Sequence, residues 1–266
     1  MKVSIITSVL NGAKFLPRCV ESVACQTYPC EHVIVDGGST DNSQNIAHQA
    51  GQVVIEAPGS NISEAFNLGI QGSNGDVIAI LNADDWLERD AVERSVYALQ
   101  TRPAAGFTYG NVLLHFEDNT ILVKPRIISE DLSPYATKQL PFSHISSLVR
   151  RSVYDEHGMY DSGYIVAMDY EFYARITTRG VRGIYVDGIL AHATANGISS
   201  KTRLRMRDYY RVLSRYHGEF TATFYVIKFA VNSFLYNSIP RGNFLWRFLR
   251  FKGNRQLMDE HPDERL

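Results

Sequence analysis

The sequence is short of the features that mark several classes of protein. Its 266 residues hold three cysteines, Cys19, Cys25 and Cys30, an odd set with no C-x-x-C spacing. That argues against a disulfide framework and a cysteine zinc site, and suits a reducing compartment. No run of about twenty apolar residues occurs, so no transmembrane helix is expected. The opening M-K-V-S-I-I is too short for a signal-peptide core and lacks a small-residue cleavage site. A formal net charge of -1 gives no global attraction to nucleic acid. Together these shortages point to a cytoplasmic protein with ordinary apolar content and room for a substantial core.

What is present begins with residues 75–85, G-D-V-I-A-I-L-N-A-D-D, an apolar run that stops abruptly at two carboxylates. Val77, Ile78, Ala79, Ile80 and Leu81 have the β-branched content of a strand buried on both faces of a parallel sheet. Asn82, Asp84 and Asp85 then fall at its carboxyl end, the edge where open α/β sheets bind ligands and where side chains converge on a cation. The competing reading is a polar turn capping a helix that starts near Asp90.

The preceding residues supply the rest of such a sheet. Residues 3–9 predict a strand, broken by Asn11-Gly12 before a helix carrying Phe15, Leu16, Cys19, Val20 and Val23 on one face. Residues 33–43, V-I-V-D-G-G-S-T-D-N-S, predict a second strand ending in Asp36, glycines that allow close backbone approach, and a helix from about 41 to 50 capped by Ser39 or Thr40. A glycine-opened helix N-terminus suits a phosphate or base, and a strand-end aspartate can accept a hydrogen bond from an imide N–H. A third strand at 53–56 and a helix from 63 to 71, capped by Ser63, lead back to the opening run. Four strands alternating with three helices predict a doubly wound, mostly parallel sheet.

The ordered set Ser4-Ile5-Ile6-Thr7 with Asn11, then V-D-G-G-S-T-D-N-S, then A-F-N-L-G-I, then G-D-V-I-A-I-L-N-A-D-D-W resembles a family 2 glycosyltransferase of the GT-A fold over residues 1–200. The resemblance implies an inverting transferase that takes a nucleotide-diphosphate sugar, a UDP-sugar by preference, with Mn2+ or Mg2+ as cofactor. By that resemblance Thr7, Asn11, Asp36, Asn67, Asn82 and Asp84 bind the nucleotide sugar and Asp85 ligates the metal. Many members carry Asp where this chain has Asn82, which implies an altered contact there. Oxygen-rich acids suit such a cation, which bridges both phosphates of the leaving group.

In the second half, a helix is predicted over 90–99, a strand over 106–112, and a hairpin from 112–116 and 121–124. Residues 141–151, P-F-S-H-I-S-S-L-V-R-R, resemble the family segment on the acceptor side. There His144 either touches the acceptor or is a satisfied core residue. In 165–175, I-V-A-M-D-Y-E-F-Y-A-R, Asp169 matches the family's general base, the alternative being a helix cap; Met168 replaces a common acid. Glu171 lies roughly 200° round the helix from Asp169, so both cannot face one substrate. A short strand at 183–186 leads to His192, which either completes the metal shell or reaches the diphosphate, or serves as a cap or acceptor contact. The family's G-G-I-S turn corresponds to Gly197-Ile198-Ser199.

Residues 1–111 are thus expected to form the nucleotide-sugar half, 112–200 the acceptor half, and 201–266 a helical extension rich in arginine and aromatics. Such an extension fits an anionic membrane surface, placing the enzyme peripherally on the inner face of the cell membrane, or else packs on the core or a partner chain as a homodimer. No nucleic-acid reading motif is present. The acceptor is expected to be a hydroxyl of a glycan or lipid-linked sugar in surface polysaccharide biosynthesis. Two other classes stand beside this reading: a catalytically silent nucleotide-binding or scaffold subunit, and a sugar nucleotidyltransferase, whose glycine-rich Arg/Lys loop after the first strand is absent from T-S-V-L-N-G-A-K.

Overall fold

The parallel half of the sheet forms where the apolar runs predict it. In this computed structural model, which describes residues 1–50, 53–116, 120–194 and 202–238, the strands β1 (Val3–Val9), β2 (Cys30–Asp36), β3 (Val53–Glu56) and β4 (Val77–Ile80) are joined by helices α1 (Leu16–Ala24), α2 (Ser43–Gln49) and α3 (Ile62–Gly72). β1 lies between β2 and β4, parallel to both, with Val3 opposite Cys30 and Val77. All four residues of β4 are buried, which explains their uninterrupted apolar character.

Beyond β4 the chain adds β5 (Trp86–Leu87), α4 (Ala91–Thr101), β6 (Ala105–His115), β7 (Thr120–Val123), α5 (Ser133–Ala136), β8 (Leu148–Arg150), α6 (Arg151–His157), α7 (Met168–Thr178) and β9 (Arg182–Thr194). The sheet order is β3-β2-β1-β4-β8-β6-β9-β5, with β7 paired to β6 as the predicted hairpin. β8 was not foreseen. It runs antiparallel to β4, Leu148 opposite Ala79, and closes the gap between the two halves of the sheet.

Three local expectations change. The helix α3 is capped by Asn61 and not by Ser63: Asn61 accepts from the backbone N–H of Ser63 and Glu64 while Glu64 reaches back to the Asn61 N–H, a complete capping box. Ser63 is buried instead and donates to the Tyr164 carbonyl. The helix α2 begins at Ser43, because Asp41 turns back to accept from the Ser43 N–H and hydroxyl. The expected strand at 183–186 is the start of the much longer β9, which pairs with β6 through register shifts and carries both His192 and Thr194. Capping by the acidic pair is also ruled out, since β5 and a turn separate it from α4.

The chain divides into two compact units, Met1–Asp208 and a second from Tyr209, later than the expected break at 200. Asp208 belongs to the first because its buried carboxylate accepts from the backbone N–H groups of Ile165 and Val166 at 2.8 and 2.9 Å. The helix α8 (Thr202–Ser238) is interrupted at Gly218, whose φ of 79° is one that only glycine adopts without strain. In the second unit Phe220, Phe224, Ile227 and Val231 are exposed. The expected turn at 197–199, the hairpin tip at 117–119 and the basic and aromatic residues after 238 lie outside the described residues.

Candidate active site

The carboxyl ends of β1, β2 and β4 gather most of the acidic residues singled out above. At the end of β2, Asp36 is 1% exposed. Its Oδ2 accepts from the Gly38 and Ser39 N–H groups at 3.1 and 3.0 Å and from Gln44 Nε2 at 2.8 Å. Burial pushes this carboxyl up, but the donors from Ser39, Gln44 and Gly38 outweigh it and hold it below its ordinary value. Its other oxygen, Oδ1, is buried with no partner among the described residues. Gly38, at φ +97°, supplies the turn that aims these N–H groups. Asn11, at φ +52°, ties the β1–α1 loop to this turn: Oδ1 accepts from the Thr40 N–H at 2.9 Å, and its own N–H donates to Ser39 Oγ at 2.9 Å.

At the end of β4, Asp85 is 4% exposed. Asn82 Nδ2 donates to its Oδ2 at 2.8 Å, and the Thr194 N–H on β9 donates to its Oδ1 at 3.1 Å. Burial and the adjacent Asp84 push Asp85 up to about 6, against the pull of Asn82, Thr194 and His144. Asp84 is also raised, by burial. Its carbonyl accepts from Thr194 Oγ1 at 2.8 Å and from Arg18 Nη2 at 3.5 Å, and the Arg18 guanidinium stacks 3.4 Å over Trp86. Two carboxylates crowded at a dry strand end carry more negative charge than the protein neutralises. Their oxygen donors fit a hard dication, with phosphates and water completing the shell.

Asp169 lies in the first turn of α7. Its Oδ2 lies 2.9 Å from His144 Nδ1, the two side chains being 21% and 18% exposed. His144 stands on a 3-10 turn, His144–Ser146, just before β8. Burial lowers the affinity of its ring for a proton, but Asp169 and then Asp85 more than reverse that and raise it. Both carboxylates are therefore within electrostatic reach of one imidazole. Glu171, as the helical geometry requires, points elsewhere: it is 1% exposed and paired with Arg175 at 3.0 Å. Met168 takes no polar role toward the site; Ser63 Oγ approaches its sulfur at 3.1 Å.

Three expected contacts are used up structurally. Thr7 is 0% exposed, with Oγ1 bonded to His32 Nε2 at 3.0 Å, so its hydroxyl is engaged by the core. Burial lowers His32 to about 4, which leaves that imidazole neutral. Asn67 spends both ends of its amide on Tyr160, donating to its carbonyl at 2.8 Å and accepting from its N–H at 3.0 Å. His192 is engaged at both nitrogens, by Glu88 Oε1 at 2.8 Å and His115 Nε2 at 2.9 Å, and stacks on Trp86 with centroids 4.8 Å apart. No cluster of three or more His, Cys, Asp or Glu ligands occurs among the described residues.

Sequence reasoning missed Arg18, Gln44, Thr194 and Asp208. Asp208 had a signal, as the one acid in a basic run, R-L-R-M-R-D-Y-Y; the others depend on the pairing of β5 with β9 and on loop contacts that no local pattern reveals.

A doubly wound sheet whose carboxyl edge collects these acids is the architecture of a GT-A sugar transferase. Residues 4–163, more than half of the chain, match Glycosyl transferase family 2. The chain belongs to that family. It is 35% identical over 128 residues to an uncharacterized glycosyltransferase of Nostoc sp., covering 46% of this chain and 40% of that protein. It is 29% identical over 189 residues to a PGL/p-HBAD biosynthesis glycosyltransferase of Mycobacterium bovis, covering 65% and 68%. A pneumococcal glycosyltransferase, GlyA, is matched over only 16% of its length, so the chain spans a minority of some relatives. Among solved structures, Staphylococcus aureus TarS 1–349 in complex with UDP-GlcNAc superposes with a TM-score of 0.69 at 14% identity, covering 97% of this chain and 82% of that one. The mannosyltransferase PcManGT from Pyrobaculum calidifontis, in complex with GDP-Man and Mn2+, superposes at 0.63 with 14% identity, covering 98% and 88%. Those likenesses establish the GT-A fold.

Proposed function

We propose that the protein transfers a sugar from a UDP-sugar to a hydroxyl of a glycan or lipid-linked acceptor, with inversion, as a step in surface polysaccharide or glycolipid assembly. The observation that carries this is the Asp169–His144 pair at 2.9 Å together with the buried Asp85 beside Asp84 at the end of β4, Asp85 and Asp169 both acting electrostatically on the His144 ring. Uridine is favoured by Asp36, whose Oδ2 accepts three hydrogen bonds while Oδ1 is a buried acceptor without a partner among the described residues; the imide N–H of uracil matches it. Asp85 would hold a divalent cation, with Asp84 beside it. When bound, that ion neutralises charge building on the departing diphosphate.

Asp169 takes the acceptor hydroxyl's proton as the oxygen attacks the anomeric carbon. The bond from that carbon to the diphosphate oxygen breaks, and the electron pair leaves with the diphosphate. The TarS and PcManGT complexes contain UDP-GlcNAc and GDP-Man with Mn2+ respectively, and the mycobacterial relative is named for PGL/p-HBAD biosynthesis, which supports a nucleotide-sugar donor of this kind. The exposed Phe220, Phe224, Ile227 and Val231, at helical spacing, support a peripheral position on an anionic membrane, where such acceptors reside. No described helix is long and apolar enough to cross a membrane.

The test is to incubate the protein with a panel of nucleotide sugars, Mn2+ and lipid-linked acceptors and to measure released nucleoside diphosphate. Asp85→Ala and Asp169→Asn should each abolish transfer, while only Asp85→Ala weakens metal-dependent nucleotide binding. Undiminished transfer by Asp169→Asn removes the base assignment.

A further inference from the structure

Resting on Asp169 as the base, we propose that His144 is its positioning residue: the Nδ1–H, 2.9 Å from Asp169 Oδ2, fixes the carboxylate so that its remaining lone pairs meet the acceptor hydroxyl. The ring is not an incidental core histidine. His144 Nε2 is buried with no partner among the described residues, as is Nδ1 of the core residue His32; what sets His144 apart is that its ring stays 18% exposed and pairs with a carboxylate, Asp169, where His32 bonds the hydroxyl of Thr7. A neutral imidazole has a single N–H, and placing it on Nδ1 is the tautomer that gives the carboxylate a donor.

The mounting is rigid. The turn His144–Ser146 is closed by the Ser146 N–H to the Ser143 carbonyl at 3.1 Å. Ser146 Oγ bonds to the Gly110 backbone at 3.1 Å, and Ser147 Oγ donates to the Thr108 carbonyl at 2.6 Å, both on β6. Two residues further, β8 pairs with β4, Leu148 opposite Ala79, and β4 runs straight to Asp84-Asp85. The strand that carries the acidic pair therefore sets the position of the imidazole, and the imidazole sets that of the base. On the other side of Asp169, its Oδ1 accepts from the Tyr170 N–H at 2.8 Å. One backbone and one side-chain donor together hold the carboxylate plane, while 21% of the side chain stays open. In the reaction the acceptor proton passes to Asp169 and later to water; the Nδ1–H stays in place and the histidine exchanges nothing.

His144→Ala, His144→Asn and wild type are compared in kcat, donor KM and UDP Kd, with thermal unfolding as the check on folding. The amide nitrogen of asparagine sits close to where Nδ1 was and can donate in its place. His144→Ala should lower kcat about 100-fold, the scale of a misplaced catalytic group, with UDP Kd within about twofold of wild type. His144→Asn should recover roughly tenfold of that loss. Equal losses in the alanine and asparagine variants, a parallel loss of UDP affinity, or an unchanged kcat in His144→Ala would overturn the assignment. A second arm does not depend on turnover: ring 15N NMR of wild type and Asp169→Asn. A protonated Nδ1 whose signal moves in Asp169→Asn is expected, and a ring bare at Nδ1 or indifferent to the substitution refutes the pairing. Absence of turnover by wild type with every donor would count against the transferase chemistry proposed above, leaving the NMR arm to decide this inference.

Discussion

Asp85 should destabilise the fold that it serves. Burial and the adjacent Asp84 raise its pKa from 3.8 to about 6. A carboxyl whose folded pKa lies above its unfolded value binds its proton more tightly in the native state, so ionising it at neutral pH costs folding free energy. That cost is absent below pH 3.8, grows as pH rises from about 4 to about 6, and is full above the folded value. At about 1.4 kcal/mol for each tenfold gain in proton affinity, it comes to about 3 kcal/mol at pH 7. Asp85→Asn removes the charge but keeps the size. The Thr194 N–H can still bond the amide oxygen, and Asn82 can turn its own amide to accept; weaker neutral hydrogen bonds give back about 1 kcal/mol. The net expectation is about 2 kcal/mol of added stability at pH 7, a rise in Tm of about 4–8 °C for a domain of this size. In thermal unfolding with chelator present, the gap between Asp85→Asn and wild type should therefore be largest at pH 7 and narrow toward pH 5 as Asp85 takes up its proton. Groups away from the site titrate equally in both proteins, so the difference isolates Asp85 together with the two groups it acts on, Asp84 and His144. A variant less stable than wild type at pH 7, or a gap that does not change with pH, would refute the account of a buried, charge-crowded carboxylate.

Other consequences follow from the same geometry. Asp36→Ala, which removes the buried Oδ1 together with the acceptor of Gly38, Ser39 and Gln44, should weaken UDP binding about 10- to 100-fold by calorimetry, and weaken UDP more than CDP, whose base lacks the imide N–H. Glu171→Ala strands Arg175 in the interior and should cost roughly 3 kcal/mol, read as a fall in denaturation midpoint with donor affinity unchanged in the folded fraction. Asn61→Ala breaks the capping box of α3 and should cost about 1 kcal/mol by the same measurement. Replacing Phe220 and Phe224 with serine should abolish flotation with phosphatidylglycerol vesicles while leaving turnover on a soluble acceptor intact; binding that survives both changes would remove the membrane role of α8.

The parallel strands were legible because each is a short apolar run with its own punctuation, and burial on both faces left little ambiguity: β1 and β4 fall within a residue of the runs that predict them, while β2 begins at Cys30, ahead of its apolar run. β8 was not legible. Its three residues, Leu148–Arg150, become a strand only because β4 and β6 offer facing edges, a condition set far away in sequence. The same holds for the extended length of β9, whose pairing with the two residues of β5 places Trp86 against His192. Helix starts misplaced by one or two residues have a chemical cause, since Asn61 and Asp41 compete with nearby serines for the same free N–H groups.

Within the site, acids were legible and their partners were not. Asp36, Asp84, Asp85 and Asp169 stand at ends of elements, where a charge needs a reason, and local sequence exposes that need. Neutral residues matched by resemblance alone behaved differently: Thr7 and Asn67 satisfy interior groups, and the departure at Asn82 acquires its meaning only in three dimensions. An aspartate at position 82 would set a third carboxylate against Asp85, already pushed to about 6, whereas the asparagine amide donates to it at 2.8 Å. Asn82 therefore keeps Asp85 ionised nearer neutral pH than an acid in its place would allow. The substitution moves the chain from sharing charge among three acids to concentrating it on two, and those two are then held by Thr194 of β9, whose N–H donates to the Asp85 carboxylate and whose hydroxyl donates to the Asp84 carbonyl.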